Sequence, residues 1–429
     1  MKRTMINELN RNIGQHVKLQ GWLHRIRELG KIAFLILRDR TGMVQCIAET
    51  AVVSVKGLKL ESVIEIIGEV KPNEKTVLSL EVSVTEIKVI SAVEYDLPIE
   101  INKNELEASL DTILNNRVLS LRNPKVNAVF KLQAVLSQAF ADYLKNNGFT
   151  QVYTSKIVSE GTEGGTEVFE IKYFDSKAYL AQSPQFYKQM LVGAGYERVF
   201  EIGHVYRAES HDTNRHLNEY VSLDVEMGFI EDEYDLIRLE TALLKYMLKQ
   251  LKEECNGELE LLQILLPDIK DEIPCIPLPE ALHILKKVYG KMDLTSDIDP
   301  EGERLISSYA YEKHGSEFVF LTHYPRAKRP MYTMPAENEL THSFDLIFRG
   351  LEITTGGQRI HSYEQLKSSI SQRGLNPDCY TGYLDVFKYG MPPHGGFAIG
   401  LERLTAQLLG FKNVREATLF PRDRNRIKP

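Results

Sequence analysis

The chain has 429 residues, of which 43% are hydrophobic and 26% charged, with a formal net charge of −7 and a pI of about 6.0. This is an ordinary globular composition, with enough apolar mass for two or three cores. Taken alone, the acidic balance argues against a nucleic-acid binder, which usually has a basic footprint, but the charge of the whole chain can hide a local basic stripe.

The spacing of the cysteines and the N-terminal residues argue against zinc-binding, disulfide-bonded and secreted proteins. The four cysteines (Cys46, Cys255, Cys275 and Cys379) contain no CxxC pair. Neither a zinc site nor a disulfide framework is therefore expected, and a reducing, cytoplasmic location fits. The first residues, MKRTMINELN, lack the apolar segment of a signal peptide. No apolar run is long enough to span a bilayer, so we expect no membrane segment.

The N-terminal part of the chain is predicted to be all β. Apolar runs, several of them alternating, predict five strands, at Val17–Arg27, Ile32–Arg38, Met43–Ala48, Val63–Val70 and Leu80–Ile90. Turn-forming residues at 39–42 and 72–75 separate two pairs of them. Five strands in this length favour a small closed barrel of the OB type, and a small β-sandwich is the alternative.

Helices and strands are mixed in the rest of the chain. Residues 96–125 are predicted to be a connector, after which Asn123 and Pro124 are typical of a helix start. Apolar residues then recur at helical spacing until Gly148. Later segments alternate between apolar runs such as Tyr220–Ile230 and helices such as Asp235–Lys252, which indicates an α+β domain. No Walker A or GxGxxG sequence is present.

Two segments carry most of the candidate chemistry. EIGHVYRAESHDTNRHLNEY (201–220) predicts a strand that delivers Arg207 and Glu209, a polar loop, and a second strand starting near Tyr220. HGGFAIGLERL (394–404) predicts a glycine-rich strand followed by a helix that begins near Glu402 and Arg403. Singly, each feature has a structural explanation, such as an ion pair for Arg207, core packing for Tyr220 or a tight turn for the glycines.

Taken together, these segments resemble motifs 2 and 3 of the class II aminoacyl-tRNA synthetases, and in detail those of aspartyl enzymes of the archaeal and eukaryotic type. Further matches are TEGGTE (162–167), QSPQFYKQ (182–189), FDL (344–346), GGQRIH (356–361) and LFPRDR (419–424). The resemblance covers essentially the whole chain. It implies an OB-fold anticodon-binding domain at 1–95, a connector at 96–125 and a class II catalytic domain at 126–429. The catalytic domain would be an antiparallel sheet flanked by helices, with a small insertion around 255–330.

The resemblance also implies an activity and an ATP site. The family attaches L-aspartate to tRNA(Asp) through an aspartyl-adenylate, with ATP as substrate and Mg²⁺ as cofactor. The catalytic arginines would be Arg207 and Arg403. The ATP-binding residues would be Arg207, Glu209, Arg215, His216, Leu217, Tyr220, Glu352 and Arg403. Mg²⁺, which takes a few carboxylates together with phosphates, would be held by Asp345, Glu352 and Thr355.

An amino-acid pocket follows from the same resemblance. Its residues would be Glu163, Gln185, Lys188, Arg207, Thr355 and Arg359. A buried aspartate side chain needs a cation, and Lys188 and Arg359 match the family's side-chain readers. Asparaginyl relatives generally lack a lysine at the place of Lys188, which favours aspartate.

The predicted barrel has the parts of an anticodon reader. By resemblance, the contacting residues would be His24, Arg27, Phe34 and Gln45. An aromatic ring can stack on an unpaired base and polar side chains can bond to base edges, although Phe34 in the barrel core is the alternative. A local basic stripe is formed by Arg25, Arg27, Lys31, Arg38 and Arg40.

The chain departs from the family pattern in two places. Ser155 stands where motif 1, at the expected homodimer interface, normally has a proline. His24 and Thr76–Val77 replace a tryptophan and a lysine that tRNA(Asp)-specific archaeal enzymes tend to have, so charging of tRNA(Asn) stays open. The competing functions are an asparaginyl-tRNA synthetase, a synthetase-like amide ligase that makes asparagine, and a non-catalytic tRNA-binding protein.

Overall fold

The computed structural model describes residues 1–162, 167–210, 213–294 and 296–428. Contacts between residues divide the chain into two compact units, Met1–Ala108 and Ser109–Pro429. Each unit is built around hydrophobic cores of its own. Within the described ranges, no helix is long and apolar enough to cross a membrane.

The first unit is a closed barrel of five strands. They are β1 (His16–Leu29), β2 (Ile32–Asp39), β3 (Gly42–Glu49), β4 (Val63–Pro72) and β5 (Leu80–Ser91). The strands follow one another around the barrel in the order β1-β2-β3-β5-β4, and β1 pairs with β4 to close it. The predicted OB-type barrel is confirmed, and the β-sandwich alternative is wrong because the sheet has no open edge.

Buried and half-buried residues alternate along β2, as expected for a strand that turns one face towards the barrel core. Ala33, Leu35 and Leu37 are fully buried, while Phe34 and Ile36 between them are only half-buried and face outward. In β1 the alternation breaks where the register with β2 shifts between Leu23 and Arg25. The bulge at this point turns His24 inward as well as Leu23, and both are buried.

The second unit combines one large sheet, one small sheet and flanking helices. Its strands are β6 (Thr150–Gln151), β7 (Ile157–Val158), β8 (Glu170–Tyr173), β9 (Ser176–Leu180), β10 (Arg198–Tyr206), β11 (Glu219–Gly228), β12 (Cys275–Pro277), β13 (Phe318–Thr322), β14 (Ser343–Phe348), β15 (Leu351–Arg359) and β16 (His394–Gly400). Its helices are α1 (Leu110–Asn115), α2 (Arg117–Ser120), α3 (Pro124–Asn146), α4 (Gln185–Leu191), α5 (Glu233–Glu254), α6 (Asn256–Leu262), α7 (Leu278–Tyr289), α8 (Pro300–His314), α9 (Tyr363–Gln372), α10 (Thr381–Lys388) and α11 (Leu401–Leu409).

The large sheet is antiparallel in its centre and parallel at its edges. Its strand order is β12-β13-β14-β15-β16-β11-β10-β6. The outermost pairs, β12 with β13 and β6 with β10, are parallel, and the pairs between them are antiparallel. The predicted α+β class is confirmed, and the sheet is mixed rather than purely antiparallel.

The long helix α3 begins and ends where its sequence signals lie. The side chain of Asn123 accepts a hydrogen bond from the Lys125 backbone N–H, and Pro124 occupies the first turn. Gly148 follows the helix with φ of 80°, a conformation that glycine adopts without strain. The helix then packs against α5 behind the large sheet, where both contribute to one core.

The two faces of the large sheet differ in chemistry. On β11, Leu223 and Val225 enter the core formed with α3 and α5, while Asp224 faces the opposite side. On β16, Phe397 and Ile399 enter the same core. Gly396, Ala398 and Gly400 alternate with them and leave room above the opposite face. The polar face of the sheet therefore has an open floor in its centre.

Candidate functional site

A cavity of about 410 Å³ lies on the polar face of the large sheet. Most of the residues predicted for the site line it, namely Gln185, Lys188, Arg207, Glu209, Arg215, His216, Leu217, Tyr220, Glu352, Thr355, Arg359 and Arg403. Asp345 is not among the lining residues, and Glu163 lies outside the described residues. The residues brought together come from segments as far apart as α4 and α11.

The connection after β10 is held as a hairpin by Asn218. Its side-chain amide donates hydrogen bonds to the backbone carbonyls of Arg207, at 2.6 Å, and Glu209, at 3.1 Å. The Arg207 backbone N–H in turn donates to the Asn218 carbonyl at 2.9 Å. These bonds fix the backbone from which the Arg207 and Glu209 side chains reach the cavity. Asn218 was not predicted, although its place in motif 2 is visible in the sequence.

Tyr220 lies beside two arginines. Burial raises the pKa of its hydroxyl, while the charges of Arg207 and Arg403 oppose that shift. Arg403 donates to the Glu352 backbone carbonyl, with an N–O distance of 3.2 Å, and its Nη1 lies 3.4 Å from Glu352 Oε1. This part of the cavity therefore presents an aromatic ring and cationic groups to a ligand, which suits a nucleotide with its phosphates.

Arg215 is engaged by a partner that the sequence did not indicate. Its Nη2 lies 2.7 Å from Glu303 Oε2 and 3.0 Å from Oε1, and Glu303 belongs to α8. Burial raises the pKa of Glu303 to about 7, and Arg215 opposes this shift by favouring the ionised form. On the same hairpin, His216 Nε2 lies 3.6 Å from Glu209 Oε2. Arg215 thus shares its charge with Glu303 at the cavity wall.

A second group of charges surrounds Lys188. This side chain is fully buried, and its Nζ lies 2.8 Å from Asp224 Oδ1 and 3.5 Å from Glu226 Oε2. It also donates to the Val225 carbonyl at 3.2 Å. An ammonium group has three N–H donors, so the position of Lys188 is fixed by protein contacts before any ligand arrives.

Arg359 completes this group through Glu226. Its Nε lies 3.2 Å from Glu226 Oε1, and its Nη2 donates to Gln185 Oε1 at 3.3 Å and to the Gly396 carbonyl at 3.0 Å. Burial opposes ionisation of Glu226, but Arg359 and Lys188 hold its pKa below the usual value. A Cβ at Gly396 would collide with the Val225 carbonyl and the Glu226 carboxylate. The glycine thus serves the packing of this charge group.

The predicted Mg²⁺ ligands share one face of the sheet. Asp345 pairs with Thr355 across β14 and β15, and a register shift beside Ile347 brings Glu352 to the same face. Thr355 donates a hydrogen bond to Glu352 Oε1 at 3.2 Å. Burial raises the pKa of Asp345, although Arg329 opposes this at an N–O distance of 2.8 Å.

The donor set fits a hard divalent cation, with one complication. Asp345 Oδ1 is buried and has no hydrogen-bond partner among the described residues, and the Glu352 carboxylate lines the cavity. Two carboxylates beside phosphates are the ligands that Mg²⁺ commonly takes. Arg329 was missed from the sequence. Its guanidinium packs 3.7 Å from the Tyr324 ring and competes for Asp345, and no local pattern marks an arginine in this role.

Three of the four residues predicted to contact the anticodon lie on the outer face of the barrel. Arg27, Phe34 and Ile47 form one row across β1, β2 and β3, and Gln45 lies in the next row beside Ile36. Arg27 is exposed and Phe34 half-buried, so Phe34 is not a core residue. The amide of Gln45 donates to Glu81 Oε2 at 3.1 Å. An aromatic ring between polar groups on an outer face can stack a base.

His24 and Arg38 are buried and are not part of the exposed outer face of the barrel. His24 is 5% exposed, and Arg38 and Asn102 each donate towards its Nδ1 at 3.1 Å. These two side chains cover Nδ1 from within the protein. The contact of His24 with an anticodon base stays a prediction, and its ring is largely covered by these neighbours. Arg38 is buried and paired with Glu61 at 2.7 Å, so it adds little to the basic stripe.

Comparisons with known proteins show matches to both units of the chain. The model of the family "tRNA synthetases class II (D, K and N)" matches residues 109–424, and that of the OB-fold nucleic acid binding domain matches residues 17–90. An aspartate–tRNA(Asp/Asn) ligase of Deinococcus radiodurans is 51% identical over 439 residues, which is 100% of this chain and 99% of that protein. An aspartate–tRNA(Asp) ligase of Pyrococcus abyssi is 42% identical over 430 residues, with 98% and 97% covered.

A solved structure of a related enzyme has the same fold over the whole chain. The crystal structure of asparaginyl-tRNA synthetase from Pyrococcus horikoshii complexed with asparaginyl-adenylate has a TM-score of 0.92 and 31% sequence identity to this chain, and both chains are covered to 100%. The relative from Deinococcus radiodurans and this solved structure thus agree over the full length, and the two family models over residues 17–90 and 109–424. The chain belongs to the class II tRNA synthetases of the D, K and N group.

Proposed function

We propose that this protein is an aspartate–tRNA ligase. It activates L-aspartate with ATP, releases pyrophosphate, and transfers the aspartyl group from aspartyl-adenylate to tRNA(Asp). The observation that carries the proposal is one cavity lined both by Arg207 and Arg403, beside Tyr220, and by Lys188 and Arg359, around Glu226. The first pair suits the phosphates of ATP and the second suits the side-chain carboxylate of aspartate.

The chemistry of activation asks for positioning rather than proton transfer. The α-carboxylate of aspartate is already ionised, so it attacks the α-phosphorus without a general base. An oxygen–phosphorus bond forms, and the bond to the leaving pyrophosphate breaks. The protein's contribution is to align the two substrates and to stabilise the negative charge that develops on the phosphate oxygens.

Each residue of the nucleotide group has a role in this proposal. Arg207 holds the α-phosphate and the neighbouring aspartate carboxylate, and Arg403 holds the distal phosphates. Tyr220 stacks on adenine, while Glu209 accepts from its amino group and Leu217 packs nearby. Arg215 and His216 cover the phosphates from the hairpin. Arg215 approaches them from its ion pair with Glu303.

Mg²⁺ belongs to the proposal as a partner of the phosphates. Glu352, Asp345 and the Thr355 hydroxyl would hold it, since Thr355 lies opposite Asp345 and beside Glu352. When bound, the ion neutralises phosphate charge and helps pyrophosphate to leave. Arg329 stabilises the buried Asp345 carboxylate at the back of this site.

The charge group around Lys188 favours aspartate over asparagine. A buried carboxylate that lacks a cation costs several kcal/mol, whereas a neutral amide has no net charge to pair and gains less from two nearby cations. Lys188 and Arg359 therefore read the substrate's side chain, while Gln185, Glu163 and Thr355 lie towards its α-amino end. The fold of an asparaginyl enzyme is nearly the same, so this choice depends on side chains.

ATP–pyrophosphate exchange tests the proposal. Purified protein should catalyse exchange with aspartate and show little exchange with asparagine. It should then charge tRNA(Asp) with aspartate. Exchange with asparagine alone would establish an asparaginyl-tRNA synthetase. Asparagine synthesis from aspartate without tRNA would establish the amide ligase, and tRNA binding without exchange would establish a non-catalytic protein.

For the choice of tRNA, we infer that both tRNA(Asp) and tRNA(Asn) are charged with aspartate. Their anticodons differ only in the third base, C against U, so discrimination depends on one base edge. The relative that is 51% identical is named for both tRNAs, and the one named for tRNA(Asp) alone is 42% identical. His24 is buried and Val77 is fully exposed, so neither forms a constraining wall beside a base.

Aspartylation kinetics on the two purified tRNAs test this inference. The kcat/KM values should differ by less than about a hundredfold, which is roughly what one good base contact supplies. A larger preference for tRNA(Asp) would overturn the inference on tRNA choice and leave the aspartate–tRNA ligase itself intact.

The protein is also proposed to be a cytoplasmic homodimer that pairs through the region of motif 1. Tyr153 is 80% exposed and Ile157 48% exposed on either side of Ser155, which leaves apolar surface for a second copy. Sedimentation at micromolar concentration should give about twice the 49.0 kDa mass of the chain. A fully active monomer would contradict the dimer.

A further inference from the structure

Three side chains outside the proposed active site converge at the start of α5. Glu233 is the first residue of this helix, His323 follows β13, and His342 precedes β14. His342 Nδ1 lies 2.8 Å from Glu233 Oε2, and His323 Nε2 lies 3.6 Å from Glu233 Oε1. One ligand atom from each of the three residues lies within 4.8 Å of the other two.

Glu233 is not the N-cap of α5, although its carboxylate receives a hydrogen bond from its own backbone N–H. Asp232 performs that role, because its Oδ1 accepts a hydrogen bond from the Tyr234 backbone N–H at 2.9 Å. Glu233 is only 1% exposed, and its Oε1 has no hydrogen-bond partner in the described parts of the chain. A buried carboxylate oxygen without a donor is costly, so this oxygen points to a ligand between Glu233 and His323.

Two imidazoles and one carboxylate are a donor set that zinc and similar ions prefer. Ligand atoms around such an ion lie about 3.3 Å apart, because the bonds are about 2.0–2.2 Å long and roughly tetrahedral. The 3.6 Å between His323 Nε2 and Glu233 Oε1 is close to that value. The 2.8 Å between His342 Nδ1 and the other oxygen, Oε2, is a hydrogen bond whose proton an ion would replace. Three protein ligands would leave a fourth position for water.

A neighbouring hydroxyl orients His323, and both histidines are accessible from solvent. His323 Nδ1 lies 2.9 Å from Thr322 Oγ1, so a proton donated there leaves the Nε2 lone pair directed towards Glu233. The backbone N–H of His323 donates to the Ser343 carbonyl, which ties β13 to β14. The side chains of His323 and His342 are 27% and 35% exposed, so an ion can reach them from solvent.

We propose that Glu233, His323 and His342 bind one divalent transition-metal ion of the zinc type, separate from the Mg²⁺ beside ATP. The ion joins the start of α5 to the ends of two strands. The His342 carbonyl accepts from the Gln358 backbone N–H at 2.8 Å, next to Arg359. A bound ion therefore braces the strand end that carries Arg359, and it does so whatever the enzyme's amino-acid substrate is.

Calorimetric titration of the tag-free, chelator-treated full chain with Zn²⁺ tests the proposal, with Mg²⁺ in excess to fill carboxylate sites. Co²⁺ provides a second probe through its visible absorption. We expect one saturable Zn²⁺ site per chain and a rise in melting temperature on loading. Loss of an indirect partner typically costs 10–100-fold in affinity, so loss of a direct ligand should cost at least about a hundredfold.

The decisive variants are His323→Asn with His342→Gln, and separately Glu233→Gln. Asparagine suits position 323 because φ there is 60°, and circular dichroism would show whether each variant folds. His283→Ala, at an exposed position of α7, is the matched control and should bind Zn²⁺ like the wild type. Absence of saturable binding by the wild type, or equal binding by folded variants, would overturn the proposal.

Discussion

The ammonium group of Lys188 lies 2.8 Å from the Asp224 carboxylate, and both side chains are almost entirely buried on the polar face of the large sheet. The cation that we assign to the substrate's side chain is thus already paired within the protein. The pairing holds Lys188 in place without a ligand and adds a cost to its removal, because Asp224 would be left as an unpaired buried charge.

The pairing leads to a prediction for the amino-acid pocket. Lys188→Met should raise the KM for aspartate in pyrophosphate exchange by an amount equivalent to about 2–5 kcal/mol, because the substrate carboxylate loses a desolvated partner. The melting temperature should fall as well. The double variant Lys188→Met with Asp224→Asn removes both charges, so stability should recover while the KM stays high. Recovery of both quantities would mean that Lys188 is only structural.

Arg207 should matter for adenylate formation far more than for folding. Arg207→Ala is expected to lower the exchange rate by on the order of 10²–10³, the usual loss when one stabiliser of transition-state charge is removed. Arg198→Ala is the matched control, because Arg198 is an exposed arginine at the other end of β10. Exchange within a few-fold of wild type in the Arg207 variant would show that the nucleotide assignment is wrong.

Substitutions on the outer face of the barrel should change the KM for tRNA and leave the rate of adenylate formation unchanged. Phe34→Ala is expected to raise the KM for tRNA by the equivalent of about 1–3 kcal/mol, the usual contribution of one aromatic–base stack. Exchange measured without tRNA should not change. Val89→Ala, at a 44% exposed position on β5, provides the control. An unchanged tRNA KM in the Phe34 variant would remove Phe34 from the anticodon face.

The buried Glu240 should make the protein less stable as the pH rises from acidic to weakly alkaline values. Burial raises the pKa of this carboxyl from 4.5 to about 8, and the nearby Asp345 adds to the shift. The folded protein therefore keeps a proton that the unfolded chain loses, so the free energy of unfolding should fall as pH rises from about 4.5 to 8. Glu240→Gln keeps the shape without the charge. It should melt at a higher temperature than wild type at pH 9, and the difference should shrink at pH 5. A constant difference across this range would contradict the assignment.

Much of the fold followed from local patterns. The five barrel strands were predicted within two residues of their observed ends because residues such as Ala33, Leu35 and Leu37 alternate with outward ones. The start of α3 at Asn123 and Pro124 followed from capping chemistry in the same way. Most of the proposed site residues line one cavity because they alternate along adjacent strands, as Tyr220 and Asp224 do.

The sequence by itself therefore determined the five barrel strands, the start of α3 and the family. Tertiary structure decided the partners. A bulge beside Leu23, which no periodicity reveals, turned His24 into the barrel. Arg215 pairs with Glu303, which lies 88 residues away in the sequence, and Glu233 pairs with His342, which lies 109 residues away. Burial, which sets the pKa of a carboxyl and the cost of leaving a charge unpaired, depends on everything that packs around the group. Local spacing can predict which way a side chain points, but not which distant charge it meets.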